Sequence, residues 1–476
     1  MNNNSKQLYI SIFILTIFSL YQVYFNYGDI NKDGVIYLIN AQHMINGDYD
    51  MVYQTYNWPF FSFLIMIIHK LSGLSLFYSA QFICIFSFIF ASTFFLKTIP
   101  LISLNKVSPY YGLVILLTSI PIADNYLVMI LRDHGFWAGF FLGLYFYLKW
   151  LKQNRNLDLF LWVFSLILGT LFRPECLIFL LLFSLTALIY LNHERKKFFI
   201  AIILISILSI FIIIFSLNGI NFGRLSEFIS RPLAVYNNLY NQIPIFSNDF
   251  WLSSLLNDYL TSFKFLFFSY VALDKWISGI GFFSIILFFI SLRYKLVKEH
   301  NHVLIILIIS SALIPIFNFY QYYVLSERYF VLSWFIVYLY ASLGLYFIWN
   351  KLNDEIIKKY KIKYLVSFYL IISFLIVIID IQKNNYEREA AEWIKTNIEE
   401  IENVYFQSPR VSYYSNFLPM IKYELNDALK NTNFNFFIIE NHGSDFETLH
   451  KNSNFEVIKN FKNYKNYKSI LIYKRK

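Results

Sequence analysis

The chain has 476 residues, of which 57% are hydrophobic and only 15% are charged, with a formal net charge of +10. Soluble domains carry about a quarter charged residues, so this composition excludes an ordinary soluble protein. The basic residues are dispersed over short segments, so the positive charge does not indicate binding to nucleic acid. Both cysteines, Cys84 and Cys176, lie in apolar runs, which excludes a disulfide framework or a thiol metal site.

Apolar runs long enough to cross a bilayer as a helix recur along the chain. The first has no small-residue cleavage site after it, so we expect it to remain in the protein as a span. We predict a polytopic α-helical membrane protein with about eleven transmembrane helices. The predicted spans are 8–27, 75–96, 109–127, 134–151, 158–172, 175–191, 198–217, 272–292, 303–320, 329–349 and 363–381.

The distribution of basic residues predicts how these spans are oriented. When the connections between the spans are assigned to alternate sides and the C-terminal tail is left out, one side carries 17 Lys and Arg residues and the other carries 9. By the positive-inside rule that side is cytoplasmic, which places the N-terminus inside and the C-terminus outside. The predicted outer side then holds a first loop at 28–58, a large loop at 218–264 and the C-terminal segment.

The predicted domains are a transmembrane domain over 1–382 and a soluble extracytoplasmic α/β domain over 383–476. The second begins with an amphipathic helix, in which Ala390, Trp393 and Ile394 share one face. Strands are predicted at 403–407, 434–440, 455–460 and 468–473, and a helical stretch is predicted near 420–430.

The first outer loop carries four aspartates, of which Asp33 opens a helical pattern. An aspartate before an apolar helix can be a simple N-cap, because its carboxylate accepts backbone N–H bonds. It can also act as a general base at the membrane surface. Both interpretations of Asp33 stay open, and Asp29 is the competing base.

A second group of ionisable residues is Arg132, Asp133 and His134, at the predicted outer start of the fourth span. In the structural interpretation, Asp133 caps the helix and Arg132 anchors it at the interface. In the functional one, Arg132 binds a phosphate and Asp133 lies near the reacting sugar or its acceptor. His134 is expected to donate a hydrogen bond, and no metal is predicted, because a lone histidine is a poor metal site.

Two further strings place arginines on the predicted outer side. Arg173 stands in Phe172-Arg173-Pro174-Glu175, where Pro174 and Glu175 suit a helix start but leave Arg173 unexplained. Arg328 stands in Glu327-Arg328-Tyr329, before the tenth span. Arginine is the better bidentate partner for phosphate or carboxylate, so these positions indicate an anionic ligand.

These strings, in this order, resemble the GT-C superfamily of glycosyltransferases. The nearest branch is that of the bacterial relatives of protein O-mannosyltransferases and of the lipid A aminoarabinose transferase, glycosyltransferase families 39 and 83. The first-loop part of the resemblance rests on Asp33, Tyr37, Ala41, Gly47, Asp48, Tyr49, Trp58 and Pro59.

The resemblance implies roles for individual residues. Asp33 would be the catalytic base, and Asp133, at the second acidic position, would be the catalytic acidic residue that helps it. The basic residue of the RPE string would face the lipid phosphate. The residues that we expect to bind the substrate or its phosphate are Asp29, Tyr37, Arg132, His134, Arg173, Glu327 and Arg328.

The function predicted is an inverting glycosyltransferase at the outer face of a bacterial inner membrane. It would move a sugar from a polyprenyl-phosphate donor to a hydroxyl of lipid A or core, a surface glycan or a protein, with no cofactor. A transporter or flippase for lipid-linked glycans would instead need broken helices or ionisable groups near mid-membrane. An O-antigen ligase or polymerase would carry its large outer loop late in the bundle.

Overall fold

The computed structural model of the chain describes residues 3–25, 30–104, 107–119, 121–190, 260–322, 325–350, 362–379, 386–398, 403–417, 425–431, 433–441, 449, 454–462 and 468–476. These residues are mostly helical and include one small sheet. The chain divides into two compact units, Met1–Phe25 with Gln81–Asp380 and Asn26–Ala80 with Ile381–Lys476. The second unit thus combines the predicted first outer loop with the C-terminal segment.

The first unit is built from apolar helices. Its described helices are α1 (Asn3–Phe25), α5 (Leu76–Ile102, which starts in the second unit), α6 (Pro109–Leu117), α7 (Asp133–Gln153), α8 (Asn156–Phe172), α9 (Cys176–Tyr190), α10 (Leu260–Ile280), α11 (Phe282–Arg293), α12 (Asn301–Tyr322), α13 (Val331–Asn350) and α14 (Ile362–Ile379). A π-helix at Pro121–Tyr126 and a 3₁₀-helix at Glu327–Phe330 complete it.

Four helices among the described residues are long and apolar enough to cross a membrane, at Asn4–Phe25, Leu76–Ile102, Asn301–Tyr320 and Glu327–Asn350. A fifth candidate is the pair Leu266–Ile280 and Phe282–Arg293, whose helices bend by 88° at the break between them. This apolar helical content is typical of a membrane protein. The described residues nevertheless supply four or five candidate spans rather than the eleven predicted.

Helix breaks and short helices explain much of that difference. The prediction of one helix over 109–127 is wrong, because α6 ends at Leu117 and a π-helix begins at Pro121. Proline has no N–H to donate, so it interrupts an α-helical hydrogen-bond ladder. The predicted spans at 158–172 and 175–191 are helical, but α8 has 17 residues and α9 has 15. The predicted span 198–217 and most of the large loop 218–264 lie outside the described residues.

Helices α7 and α8 form a tight antiparallel pair in the first unit. They are joined by a short turn in which Asn154 adopts a left-handed conformation, with φ of 54°. At Gly139 the two backbones approach so closely that an added Cβ would lie 2.7 Å from the Cα of Gly169. Because only glycine allows this approach, the start of α7 is held beside the end of α8.

The second unit contains a four-stranded sheet with the order β1-β2-β4-β3. The strands are β1 (Val404–Phe406), β2 (Phe436–Glu440), β3 (Phe455–Lys462) and β4 (Ser469–Arg475), so all four strand predictions are confirmed. Strand β1 pairs with β2 in parallel, whereas β4 pairs with β2 and β3 in antiparallel fashion.

Helices cover both faces of the sheet because its strands alternate buried side chains between the faces. One face packs Ile438 and Ile472 against α15 (Tyr386–Asn397) and α16 (Pro409–Tyr414). The other packs Phe437 and Leu471 against α17 (Leu425–Lys430). The predicted amphipathic helix is confirmed, since Ala390 and Ile394 are both buried in the first of these cores.

The described part of the predicted first outer loop folds as two helices of the second unit, α2 (Lys32–Asn46) and α3 (Tyr49–Thr55). Helix α4 (Phe60–Ser72) follows the loop in the same unit. Helix α2 ends at Gly47, whose left-handed φ of 78° suits a residue without a Cβ. The side chain of Asp48 then caps α3 by accepting a hydrogen bond from the Met51 N–H at 3.4 Å.

Candidate functional site

Three of the four strings singled out in the sequence meet within the first unit. Asp133 is the first residue of α7, Arg173 directly follows α8, and Arg328 lies in the 3₁₀-helix before α13. Arg173 is turned out of α8 because the residue before a proline favours extended backbone, and its φ and ψ are −144° and 122°. The close contact of α7 with α8 then brings Arg173 to Asp133.

Arg173 is buried between two carboxylates. Its Nη1 donates a hydrogen bond to Asp133 Oδ1, which is also a direct ion pair. Its Nε and Nη2 donate to the two carboxylate oxygens of Glu175, at 3.3 and 3.0 Å. All three side chains are buried, and buried charges are tolerated when they are paired and hydrogen-bonded. The positive charge of Arg173 is therefore shared between Asp133 and Glu175.

An aromatic ring links this group to the second arginine. The guanidinium carbons of Arg173 and Arg328 lie 4.8 and 5.1 Å from the centre of the Tyr329 ring. Arg328 Nη2 also donates a hydrogen bond to the Tyr329 hydroxyl at 3.3 Å. Phe136 lies on another side of Arg173, with its ring centre 5.8 Å away. Cation–π contacts of this kind hold guanidinium groups in a fixed orientation.

The electrostatics keep Asp133 ionised. Burial by itself raises the pKa of its carboxyl, but the charges of Arg173, Arg328 and Arg132 outweigh this and hold the pKa below its usual value. An ionised carboxylate with a lowered pKa is a weak base. Asp133 is thus better suited to holding charge and geometry than to removing a proton.

Glu327 takes part in a separate, more exposed ion pair. Its Oε1 lies 2.7 Å from Lys275 Nζ, and the two side chains are 42% and 45% exposed. Pairs this exposed contribute little to stability. The whole group therefore contains the cations of Arg132, Arg173, Arg328 and Lys275 and the carboxylates of Asp133, Glu175 and Glu327.

Tyr126, Tyr329 and Glu175 belong to this group, although the sequence alone did not single them out as site residues. Tyr126 ends the π-helix and lies within electrostatic range of Glu327, Arg328 and Asp133. Single π-helical turns occur often at functional sites. The polar string Asp124-Asn125-Tyr126, within an apolar run, is the sequence signal that could have indicated this position.

His134 and Arg132 are both buried beside Asp133. The His134 ring lies edge-on to the rings of Phe88 and Trp137, and its Nδ1 is 3.0 Å from the Leu131 carbonyl oxygen. His134 therefore packs in the core between aromatic rings. Within the described ranges, no three His, Cys, Asp or Glu side chains converge as ligands for a metal ion.

The predicted residues of the first outer loop lie in the second unit. Asp33 is the second residue of α2 and is partly exposed, whereas the N-cap position is taken by Asn31. Asp33 is therefore not the cap, although its charge still complements the helix dipole. Tyr37 is buried, with its ring edge-on to Tyr56 and Phe61. Asp29 lies outside the described residues.

No protein-family model matches this chain, and no curated protein matches it.

Proposed function

We propose that this chain is a GT-C-like glycosyltransferase that takes its sugar from a polyprenyl-phosphate donor at the outer face of the bacterial inner membrane. The observation that carries the proposal is that Arg173, ion-paired with Asp133, shares the Tyr329 ring with Arg328. Arginines grouped at helix ends, with aromatic rings beside them, suit a phosphate on a lipid chain. The proposal includes a polytopic topology with the N-terminus in the cytoplasm.

The three arginines would have two different roles, binding of the donor phosphate and positioning of Asp133. Arg173 already binds two buried carboxylates, so its charge is committed within the protein. Arg328 is half-buried and lies in a short 3₁₀-helix, where a ligand can approach it. In our proposal Arg328, helped by Arg132, binds the donor phosphate, and Arg173 holds Asp133 in place.

The proposed reaction is a single displacement with inversion. The acceptor oxygen attacks the anomeric carbon while the bond from that carbon to the phosphate oxygen breaks. The proton of the acceptor hydroxyl goes to the catalytic base. We assign this base to Asp33 because of its position in the first outer loop. The polyprenyl phosphate leaves with an added negative charge, and fixed arginines stabilise such charge most strongly in a site that excludes water.

Transfer by the purified full-length chain in lipid nanodiscs tests the proposal. Synthetic polyprenyl-phosphate hexose and pentose serve as donors, and an extract of envelope glycolipids and proteins serves as acceptor. Released polyprenyl phosphate and the mass of the acceptor are measured. We expect Asp33→Asn to abolish transfer, while Asp50→Asn, in an exposed carboxylate of the same loop, leaves it unchanged.

Two results would overturn the proposal. One is the absence of polyprenyl phosphate release from every donor by folded wild-type protein. The other is normal transfer by Asp33→Asn, which removes Asp33 as the base. Mass spectrometry of envelope glycans from a deletion strain then identifies the sugar and the acceptor.

A transporter of lipid-linked glycans is the second candidate, and one observation favours it. The helices Leu266–Ile280 and Phe282–Arg293 meet at 88° and form a broken apolar segment. Broken helices form substrate sites in many transporters. Movement of a lipid-linked sugar across sealed proteoliposomes, with no acceptor present and no glycosidic product, would favour transport over transfer.

A further inference from the structure

The start of α2, which carries Asp33, is held by two side chains from the C-terminal segment. Lys32 Nζ lies 2.7 Å from Glu440 Oε1 in an ion pair. The backbone N–H of Ile30, just before the helix, donates a hydrogen bond to the Tyr414 hydroxyl at 3.0 Å. Both contacts lie within the second unit, and they fall on either side of the Asn31 cap.

The side chains that hold α2 are themselves fixed on regular structure. Glu440 ends β2, where it pairs with Ile470 of β4, and its N–H donates to Gln407 Oε1 at 2.8 Å. Glu440 is thus part of the sheet and is only 13% exposed. Lys32 therefore meets a carboxylate whose position is set by β2, by β4 and by the residue that follows β1.

Tyr414 is held in a similar way. It is the last residue of α16, and the guanidinium carbon of Arg388 lies 5.2 Å from the centre of its ring. Helix α16 is tied to α15 by the ion pair of Arg410 with the buried Glu387, at 2.7 Å. The Tyr414 hydroxyl is thus presented to Ile30 from a fixed element.

The start of α2 has no side-chain capping hydrogen bond of its own, so the contacts from the C-terminal segment hold its first turn. The Asn31 side chain makes no capping hydrogen bond, although asparagine is a favoured cap. Ile30 is buried, so its N–H requires a partner within the protein. Tyr414 supplies that partner, and Asp33 lies only three residues further along the chain.

We propose that Tyr414 and Glu440 are positioning residues for Asp33. They fix the first turn of α2, and through its backbone they fix the direction in which the Asp33 carboxylate points. This inference rests on the proposed function of Asp33 as the base. It also assigns a task to the C-terminal α/β segment, which is to hold the catalytic turn rather than to bind substrate.

Hydrogen exchange in the full-length chain in nanodiscs tests the positioning directly. Tyr414→Phe removes the acceptor for the Ile30 N–H, and Glu440→Gln removes the charge opposite Lys32. The matched controls are Tyr413→Phe, the neighbouring tyrosine, and Glu456→Gln, an exposed carboxylate on β3. We expect amides 30–38 to exchange about tenfold faster in the first two variants and at the wild-type rate in the controls.

A transfer assay with the polyprenyl-phosphate sugar donor separates positioning from general damage. With rates normalised to donor-binding sites, Tyr414→Phe and Glu440→Gln should lower kcat about tenfold and leave the donor KM unchanged. Reversing the pair, with Lys32→Glu and Glu440→Lys together, should restore slow exchange in α2 relative to Glu440→Lys alone. Such a rescue would show that the ion pair between residues 32 and 440, and not either side chain alone, slows the exchange.

The outcomes distinguish this inference from the proposed function. Unchanged exchange at 30–38 in both Tyr414→Phe and Glu440→Gln overturns the positioning role, whatever the transfer assay gives. Faster exchange with no loss of kcat also overturns it, because α2 would then be held without consequence for the reaction. If the two variants exchange faster but the folded wild-type chain transfers no sugar, the contacts hold α2 as described, and it is the proposed function that fails.

Discussion

Arg173 donates a hydrogen bond to Asp133 although the two residues are separated by 40 positions in the chain. The contact joins the end of α8 to the start of α7, and Glu175 accepts hydrogen bonds from the other two nitrogens of the same guanidinium. Because Arg173 neutralises two buried carboxylates, it contributes to the stability of the fold as well as to the chemistry of the site. Removing the Arg173 guanidinium should therefore lower the free energy of unfolding more than it lowers the affinity for a ligand.

We expect Arg173→Met to lower the free energy of unfolding by about 3–5 kcal/mol, because it leaves two buried carboxylates without a counter-charge. Chemical denaturation in detergent micelles measures this. Lys275→Met is the control, since its pair with Glu327 is exposed and should contribute no more than about 1 kcal/mol. Equal losses in the two variants would contradict the central place of Arg173.

The pH dependence of the protein's stability should show the protonation of the Asp133 carboxylate. Because its pKa is held below the ordinary value of about 4, the folded protein binds a proton less readily than the unfolded chain does. The stabilisation is therefore complete above about pH 4 and is lost as the pH falls towards the folded-state pKa. Asp133→Asn should flatten the pH profile of the unfolding temperature below pH 5, and an unchanged profile would contradict this assignment.

Arg328 should behave differently from Arg173. It is half-buried beside Tyr329, so Arg328→Ala should change stability by less than about 1 kcal/mol. The donor KM should rise roughly ten- to hundredfold, as expected for the loss of a charged hydrogen bond. Arg328→Lys, which keeps the charge, should recover part of the affinity. Titration of the folded variants with polyprenyl phosphate measures the affinity of each for the phosphate. Unaltered binding by Arg328→Ala would remove Arg328 from the phosphate site.

The contact of α7 with α8 can be tested at its glycines. Gly139→Ala places a methyl group 2.7 Å from the Gly169 Cα, so the two helices must separate, which we expect to cost about 1–3 kcal/mol. Gly143→Ala is the matched control on the same helix, because its new methyl group meets the end of the flexible Leu166 side chain at 2.9 Å. Thermal unfolding of the two variants compares them, and a larger loss at Gly143 would contradict the close backbone contact.

The sequence was a good guide where local pattern decides structure. Short apolar runs in 434–440 and 468–473 predicted strands that the fold contains, because a strand in a sheet covered on both faces buries consecutive side chains. The apolar runs likewise predicted helices. The same pattern overestimated the spans, since hydropathy cannot register the break at Pro121 or the bend beside Gly281.

The sequence by itself determined the membrane-type helical composition, the strands of the C-terminal segment and the strings that contain Asp133, Arg173 and Arg328. Tertiary structure alone decided that Glu175 shares Arg173 with Asp133 and that Tyr414 and Glu440 hold the start of α2. The physical reason is that helix and strand patterns are set by neighbours a few residues apart. The pairing of buried charges and the capping of a helix by a distant side chain depend on which elements pack together, and no local pattern encodes that packing.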